Sequence, residues 1–472
     1  MTDNNEQHIL DKINALFNAK KPDEKPQKYD LLSPPGLVGE VTNYINSQCR
    51  YPRENLAVIS ALVAVGNIGG LSHKVAGDKL SSNLFAFCVA GSATGKESIL
   101  QAINDLHIAA GISGAMHGAL KSEQEIVRNL VRHQSCLYNI DEFGILLRKL
   151  SASTKSGGAS YLQGVLGLLM SAYSKSGGTL LLSGDLKDFL RDKLNREIAQ
   201  INKKLDAGSD TKLERKLNYL IDSLENLDKG LHNPFLSLIG FTTPSTFNES
   251  VNHEQITSGF IGRSIIINEP NNNPLPKQDF TCPDMPYGLQ MQLLSIMHPG
   301  EDKSRIEASG EYNSINISPD AKEALKSYSD WFWNKAEEHS EHTGFEATVR
   351  RGYELMLKIA FILSFGTDEM SAHSVHWAFE YIKRDIECKT LLAYSNIKER
   401  SDPVRSMKAK ILVSAGSDGI SVGKLVNKYR SKKDIVDKAI ESLLADERIY
   451  VIDKMHPRNN TITKIVYIKK DL

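Results

Sequence analysis

The sequence predicts an α/β chain whose main domain is a parallel sheet, and three observations predict it. Short apolar runs that read as strands, NLFAFCVAG, SCLYNIDEFG, PFLSLIGFTTP and GRSIIINEP, are separated by stretches of helical periodicity. The first of these strands runs directly into a glycine-rich loop and then a helix, VAGSATGKESILQAINDLHIAAG. Polar residues gather where the strands end, at the edge where open α/β sheets place their sites.

The elements follow in order. Residues 1–33 form a polar leader broken by prolines, which composition predicts to be flexible. Residues 34–77 have helical spacing with Ala/Gly-rich positions and read as an N-terminal segment of two or three helices. The α/β core spans 78–316. Inside it, an insertion at 185–230 carries Leu186, Leu190, Leu194, Ile198, Ile201 and Leu205, then the turn DAGSD, then Leu213, Leu217, Leu220, Leu224 and Leu227. Both series keep one helical face apolar, which predicts an antiparallel helical hairpin; a surface stalk and an oligomer contact both suit it. Residues 317–400 read as a helical lid. From 404 to 472 the order helix, short helix, helix and an alternating two-stranded segment, TITKIVYIKK included, is that of a winged helix.

Composition narrows the function. A chain of 472 residues with 41% hydrophobic and 24% charged residues belongs to the globular class, not the disordered or fibrous ones. Its longest apolar runs are too short or too broken to span a bilayer, and no signal-peptide core opens the sequence, so a cytoplasmic protein without a membrane partner is expected. Five scattered cysteines, without a C-x-x-C or a nearby His pair, support neither a disulfide framework nor a zinc site. Net charge is zero, but residues 404–472 hold 15 Lys/Arg against 8 Asp/Glu, a balance of +7. A basic tail on an acidic body predicts that this end meets a polyanion.

The glycine loop carries the chemistry. A phosphate-binding loop reads G-x-x-x-x-G-K-[ST], in which backbone N–H groups cradle phosphates, the lysine reaches the β/γ oxygens and the hydroxyl holds Mg²⁺. Here Ala90 takes the place of the first glycine and Glu97 that of the hydroxyl, while Gly91, Ser92, Ala93, Thr94, Gly95 and Lys96 keep the rest of the loop. Ser98 follows, but on a helix it points about 100° away from residue 97. Glu97 is therefore expected to bind Mg²⁺ through its carboxylate or to hold a metal-bound water. ATP with Mg²⁺ is the expected ligand.

Downstream, Asp141 and Glu142 end an apolar strand, one suited to positioning Mg²⁺ and the other to polarising the attacking water. Thr242 ends the next strand, either to orient that water or to make a strand-end turn. Arg263, in SGFIGRS, follows a glycine-hinged turn and is placed to enter a neighbouring subunit's site as an arginine finger. Arg350, in ATVRRGYE, would start a lid helix and touch the γ-phosphate from the other side. In the tail, Lys428, Arg430, Lys432 and Lys433 lie just before and at the start of the expected recognition helix.

Taken in order, NLFAFCVAGSATGKES, LYNIDEFG, FLSLIGFTTP, GFIGRSIII and TVRRGYELMLKIAFILS resemble the AAA+ helicase-type ATPases of phages, prophages and other mobile elements. The last two blocks are also similar to the arginine-finger and sensor-2 segments of minichromosome-maintenance helicases, in which a winged helix likewise follows the ATPase. The resemblance covers roughly residues 34–400 and implies a ring, usually a hexamer, that hydrolyses ATP to translocate on single-stranded or forked DNA during replication of the element, with a separate primase or initiator as a further partner. The hydroxyl replaced by Glu97 is a departure, as is the lack of room in the leader for a zinc-bearing DNA-binding domain or a primase. Two rivals stand beside the helicase: an ATP-dependent initiator or loader that binds origin DNA without unwinding it, and a scaffold that binds nucleotide only to assemble.

Overall fold

A computed structural model describes residues 29–91, 95–133, 135–156, 160–206, 208, 210–250, 259–269, 274–297, 312–337, 345–401, 404, 407–408, 411, 415, 419–429, 433–445, 449–455 and 462–468. The leader, apart from its last residues, lies outside them. The chain divides into two compact units, 1–388 and 389–472.

The first unit is mixed α/β. It opens with α1 (Gly36–Ser47) and α2 (Glu54–Gly69), followed by the strand β1 (His73–Val75). The strand departs from the helical reading of 34–77: His73, Lys74 and Val75 pair in parallel with Asn313, Ser314 and Ile315, a partner far off in sequence. Next come β2 (Phe85–Val89), α3 (Lys96–Ala109), β3 (Met116–His117), α4 (Glu123–His133), β4 (Ser135–Ile140), α5 (Phe143–Ser156) and α6 (Ser160–Lys175). The two-residue strands β5 (Thr179–Leu180) and β6 (Leu231–His232) pair antiparallel and close the base of an insertion made of α7 (Gly184–Leu205) and α8 (Thr211–Asn226). Leu186, Leu190, Leu194, Ile201 and Leu220 are buried between these helices and their surroundings, as the spacing predicts. The hairpin is also tied to α4: Arg132 bridges Glu197, and the Tyr219 hydroxyl donates to the Val131 carbonyl.

The remaining elements of this unit are β7 (Phe235–Thr242), α9 (Pro244–Ser250), α10 (Gly259–Gly262), β8 (Ser264–Asn268), α11 (Tyr287–Ile296), β9 (Asn313–Ile317), α12 (Pro319–Glu337), α13 (Glu346–Leu363) and β10 (Glu369–Met370), with α14 (Ala372–Ser401) beginning in it and ending past residue 388. The main sheet is parallel throughout, in the order β3-β4-β7-β2-β8. Its central strand β7 is buried at every position, as a strand covered on both faces must be. A Cβ on Gly70 would lie 2.2 Å from Phe235 Cζ, and a Cβ on Gly240 would lie 2.4 Å from Phe143 Cγ. Phe235 and Gly240 are an odd number of residues apart on one strand and so point to opposite faces. Helix α2 therefore covers one face and α5 the other. From Leu56 to Gly69 every residue of α2 is buried. Gly66 and Gly70 allow that close approach, since a Cβ on Gly66 would stand 2.8 Å from both Ile362 Cδ1 and the Ser82 carbonyl.

The expected helical lid contains the short strand β10 as well, and β9 ends at its first residue. β9 joins β1 and β10 in a second parallel sheet, in the order β1-β9-β10. Their small size hides them in a largely helical sequence. Among the described residues no helix is long and apolar enough to cross a membrane. None of the five cysteines is in a disulfide.

The second unit holds β11 (Ile420–Ser421), α15 (Val422–Tyr429), α16 (Lys433–Ala445), β12 (Ile449–Met455) and β13 (Ile462–Ile468). The three strands form an antiparallel sheet in the order β11-β13-β12. Met407, Ile411 and Ala415, one helical face by their spacing, pack into its core with Leu425, Val436, Leu443 and Val466.

Candidate functional site

The register of the main sheet brings the sequence motifs together. Val89 pairs with Thr242 and with Asn268, while Ile140 pairs with Gly240. The ends of β2, β4 and β7 therefore share one edge, with neighbouring strands about 4.8 Å apart. Lys96, Asp141, Glu142 and Thr242, separated by up to 146 positions in the chain, meet at that C-terminal edge.

Gly95 leaves the loop at φ +89° and forms the N-cap of α3 without any side chain accepting from the helix. The left-handed turn suits glycine, and the first amides of α3 are left for a ligand to satisfy. Lys96 is partly buried as the first residue of α3, Glu97 is exposed beside it, and Ser98 is partly buried. Gly91 is partly buried. Ser92, Ala93 and Thr94 lie outside the described residues. Uncapped amides, a lysine and an exposed carboxylate in one helical turn fit the triphosphate and Mg²⁺ of a nucleotide.

Both acids of the pair are exposed. The Glu142 amide donates to Asp141 Oδ1 at 2.9 Å, and Glu142 itself adopts φ +52°, a left-handed conformation that a non-glycine residue takes at a cost of about 1 kcal/mol or more. The tight turn directs the chain at once into α5. Among the described residues no cluster of three or more His, Cys, Asp or Glu side chains could enclose a metal ion.

Thr242 divides the two expectations held for it. Thr243, not Thr242, makes the strand-end turn, accepting from the Thr246 amide at 3.4 Å. The Thr242 hydroxyl is buried without a hydrogen-bond partner, and a Cβ on Gly144 would lie 2.2 Å from it. Its free polar atom thus lies under the first turn of the helix that Glu142 starts.

The arginines occupy the other end of the sheet. Arg263 immediately precedes β8, whose first residue Ser264 pairs with Phe85, the first residue of β2. A strand of five residues separates it from the C-terminal edge by roughly 16 Å. Its Nη1 donates to the Gly259 carbonyl at 2.8 Å. Arg350 is exposed and stacks on Trp333, its Cζ 4.6 Å from the ring centroid. The adjacent Arg351 turns instead toward α10, with Nη1 2.7 Å from where a Cβ on Gly262 would be. Burial lowers the Arg351 pKa, and the charge of Arg263 lowers it further. Nearby, Lys358 is buried, donates to Asn83 Oδ1 at 2.6 Å and lies 3.9 Å from the Tyr173 ring centroid. Burial pushes its ammonium down to about 8.

Several residues near the C-terminal edge carry no sequence signal. The loop between α1 and α2 touches the glycine turn, since a Cβ on Gly95 would lie 3.2 Å from Tyr51 Cβ. Glu269, at the end of β8, accepts from the Asn55 amide at 3.3 Å, and its own amide donates to the Val89 carbonyl at 2.9 Å. Arg384 of α14 donates to Asn55 Oδ1 at 2.9 Å. No spacing rule links these positions, because they come from separate elements packed side by side.

In the second unit Lys433 is exposed at the first position of α16, and Lys428 is in the last turn of α15. Arg430 and Lys432 lie outside the described residues. No protein-family model matches the sequence, and no curated protein matches it.

Proposed function

We propose that this chain is an ATP-hydrolysing AAA+ protein of the replicative-helicase type from a phage, prophage or other mobile element, working as a ring, most simply a hexamer, on single-stranded or forked DNA. The observation that carries the reading is the division of the main sheet: Lys96, Asp141 and Glu142 at one edge, Arg263 at the other. A chain built this way cannot place its own Arg263 on its own nucleotide. A neighbour can.

In this reading the α3 amides and Lys96 hold the phosphates. Glu97 and Asp141 would hold Mg²⁺, directly or through water, and the ion would supply charge neutralisation for the phosphates. Glu142 accepts the proton of the attacking water as its oxygen bonds to the γ-phosphorus and the bond to the bridging oxygen breaks, leaving the electron pair on ADP. Arg263 of the next chain faces the charge that develops. The Thr242 hydroxyl, held beneath Gly144, supports the turn that aims Glu142. The tail, read as a winged helix, takes DNA at Lys428, Arg430, Lys432 and Lys433.

Strand displacement tests the whole. With ATP, the protein is expected to separate a forked duplex, while Lys96→Ala does not. ATP-dependent binding to forked DNA without displacement would instead establish the initiator or loader reading. The tail gives a separate expectation. Its +7 balance predicts DNA affinity that falls steeply with salt, because each phosphate neutralised releases counterions. A chain ending after Ser401 should lose most of that affinity; equal affinity with and without the tail, measured by anisotropy across a salt series, would remove the tail from the DNA interface.

A further inference from the structure

The sheet of the second unit turns apolar side chains to both of its faces. Ile449 and Val466 are buried in the core with Leu425 of α15 and Val436 of α16. Their strand neighbours alternate to the other face, where Tyr450 is opposite Tyr467 and Ile452 opposite Ile465 in the pairing of β12 with β13. A sheet packed on one side ordinarily turns polar residues to the other. Here Tyr450 is 45% exposed and Ile452 48%. Cross-strand pairs of this kind stabilise a hairpin, yet that role does not require so much apolar surface to stay open.

The two tyrosines form a stack with one open end. In the strand order β11-β13-β12, β13 is in the middle and β12 is an edge. Gly419 immediately precedes β11, and a Cβ on it would lie 2.5 Å from Tyr467 Cε1. The Tyr467 ring is therefore set against bare backbone on the β11 side. On the β12 side it stacks on Tyr450, with ring centroids 5.3 Å apart and planes 11° from parallel. Tyr450 ends the series at the edge of the sheet, where a further flat ring would extend it. Ser421, opposite Ile465, accepts from the Lys424 amide at 3.3 Å, which sets an exposed lysine beside this face.

We propose that the outer face of this sheet binds single-stranded DNA, with a base stacked on Tyr450. The inference rests on the reading of the tail as the unit that meets DNA, and it adds a site on the side of the sheet away from α16. The chemistry favours a single strand over other occupants. An unpaired base offers a flat ring whatever its identity, whereas in a duplex the ring faces are already stacked on one another. Residues 404–472 carry a balance of +7, which attracts a phosphate backbone and opposes a second copy of the same unit. Ile452 and Ile465 supply an apolar floor beside the stack.

The test uses the full-length protein without ATP, a fluorescent oligo-dT strand and a blunt duplex of the same length. Tyr450→Val keeps a strand-forming residue and removes the ring. It should weaken binding of the single strand on the order of 10-fold while duplex affinity stays within about two-fold of wild type. Tyr450→Phe should bind both as the wild type does, because the ring and not the hydroxyl makes the contact. Single-strand affinity within about two-fold of wild type in Tyr450→Val, or an equal loss for both forms of DNA, would overturn the site. Should Tyr450→Val lose its fold by thermal melting, the wild type decides: irradiated with an oligonucleotide carrying iododeoxyuridine, it should give an adduct on Tyr450, and adducts confined to other residues would overturn the proposal. Failure of the helicase reading is distinguishable, because this binding needs no ATP. Strand displacement with unchanged single-strand binding in Tyr450→Val removes the stack alone, whereas a Tyr450 adduct in a wild type that displaces no strand upholds the stack and removes the helicase.

Discussion

Lys96→Ala is expected to abolish ATP turnover, and Glu142→Gln to abolish it while leaving nucleotide bound. The two losses have different causes. Lys96 begins α3 after the glycine turn, where in the proposed reading its ammonium is the point charge for the β/γ-phosphates, so removing it should weaken binding and chemistry together. Glu142 stands on the neighbouring strand end, exposed and held in a left-handed turn, where its carboxylate can take a proton but is not needed to hold phosphate. Glu142→Gln keeps the shape and removes the base, so it should trap an assembled, nucleotide-loaded ring, visible by size-exclusion chromatography with ATP. Loss of a general base costs typically on the order of 10²- to 10⁴-fold. Steady-state turnover and equilibrium nucleotide binding, measured side by side, separate the two variants. Unchanged hydrolysis in either would remove the nucleotide assignment of this edge.

Arg263→Ala is expected to be as inactive as Lys96→Ala when alone and partly active when the two are mixed. Arg263 lies at the far end of β8 from the edge that holds Lys96, Asp141 and Glu142, so in the proposed ring one chain would not supply both halves of a site. In a mixed ring some interfaces pair an intact Lys96 with an intact Arg263. The recovery should be large against the background, because an arginine finger contributes on the order of 10³-fold or more. Specific activity should also climb with protein concentration until rings are complete. Near-normal activity in Arg263→Ala, or turnover per chain independent of concentration down to a demonstrated monomer, would return Arg263 to a structural role, bonded to the Gly259 carbonyl.

The strands were legible because each is an apolar run bounded by polar residues, and β2, β4, β7 and β8 all fall where those runs lie. The same holds for α7 and α8, whose leucines repeat at helical spacing. Small elements were not legible. β1, β9 and β10 span five residues at most, and each is a strand only because the others pair with it. Composition inside so short a segment cannot express a partner some 240 positions away.

By itself the sequence determined which residues can do chemistry, since a glycine turn before Lys96 and an acidic pair after a buried strand are local patterns with local causes. It also determined the α/β alternation, because burial on both faces demands continuous apolar strands. The tertiary structure alone decided where those residues meet. Register set Thr242 beside Val89 and put Lys96, Asp141 and Glu142 at one edge with Arg263 at the other. It decided, too, that Arg351 packs against Gly262 while Arg350 rests on Trp333, for neighbours on a helix point in different directions, and what each meets depends on what is packed alongside.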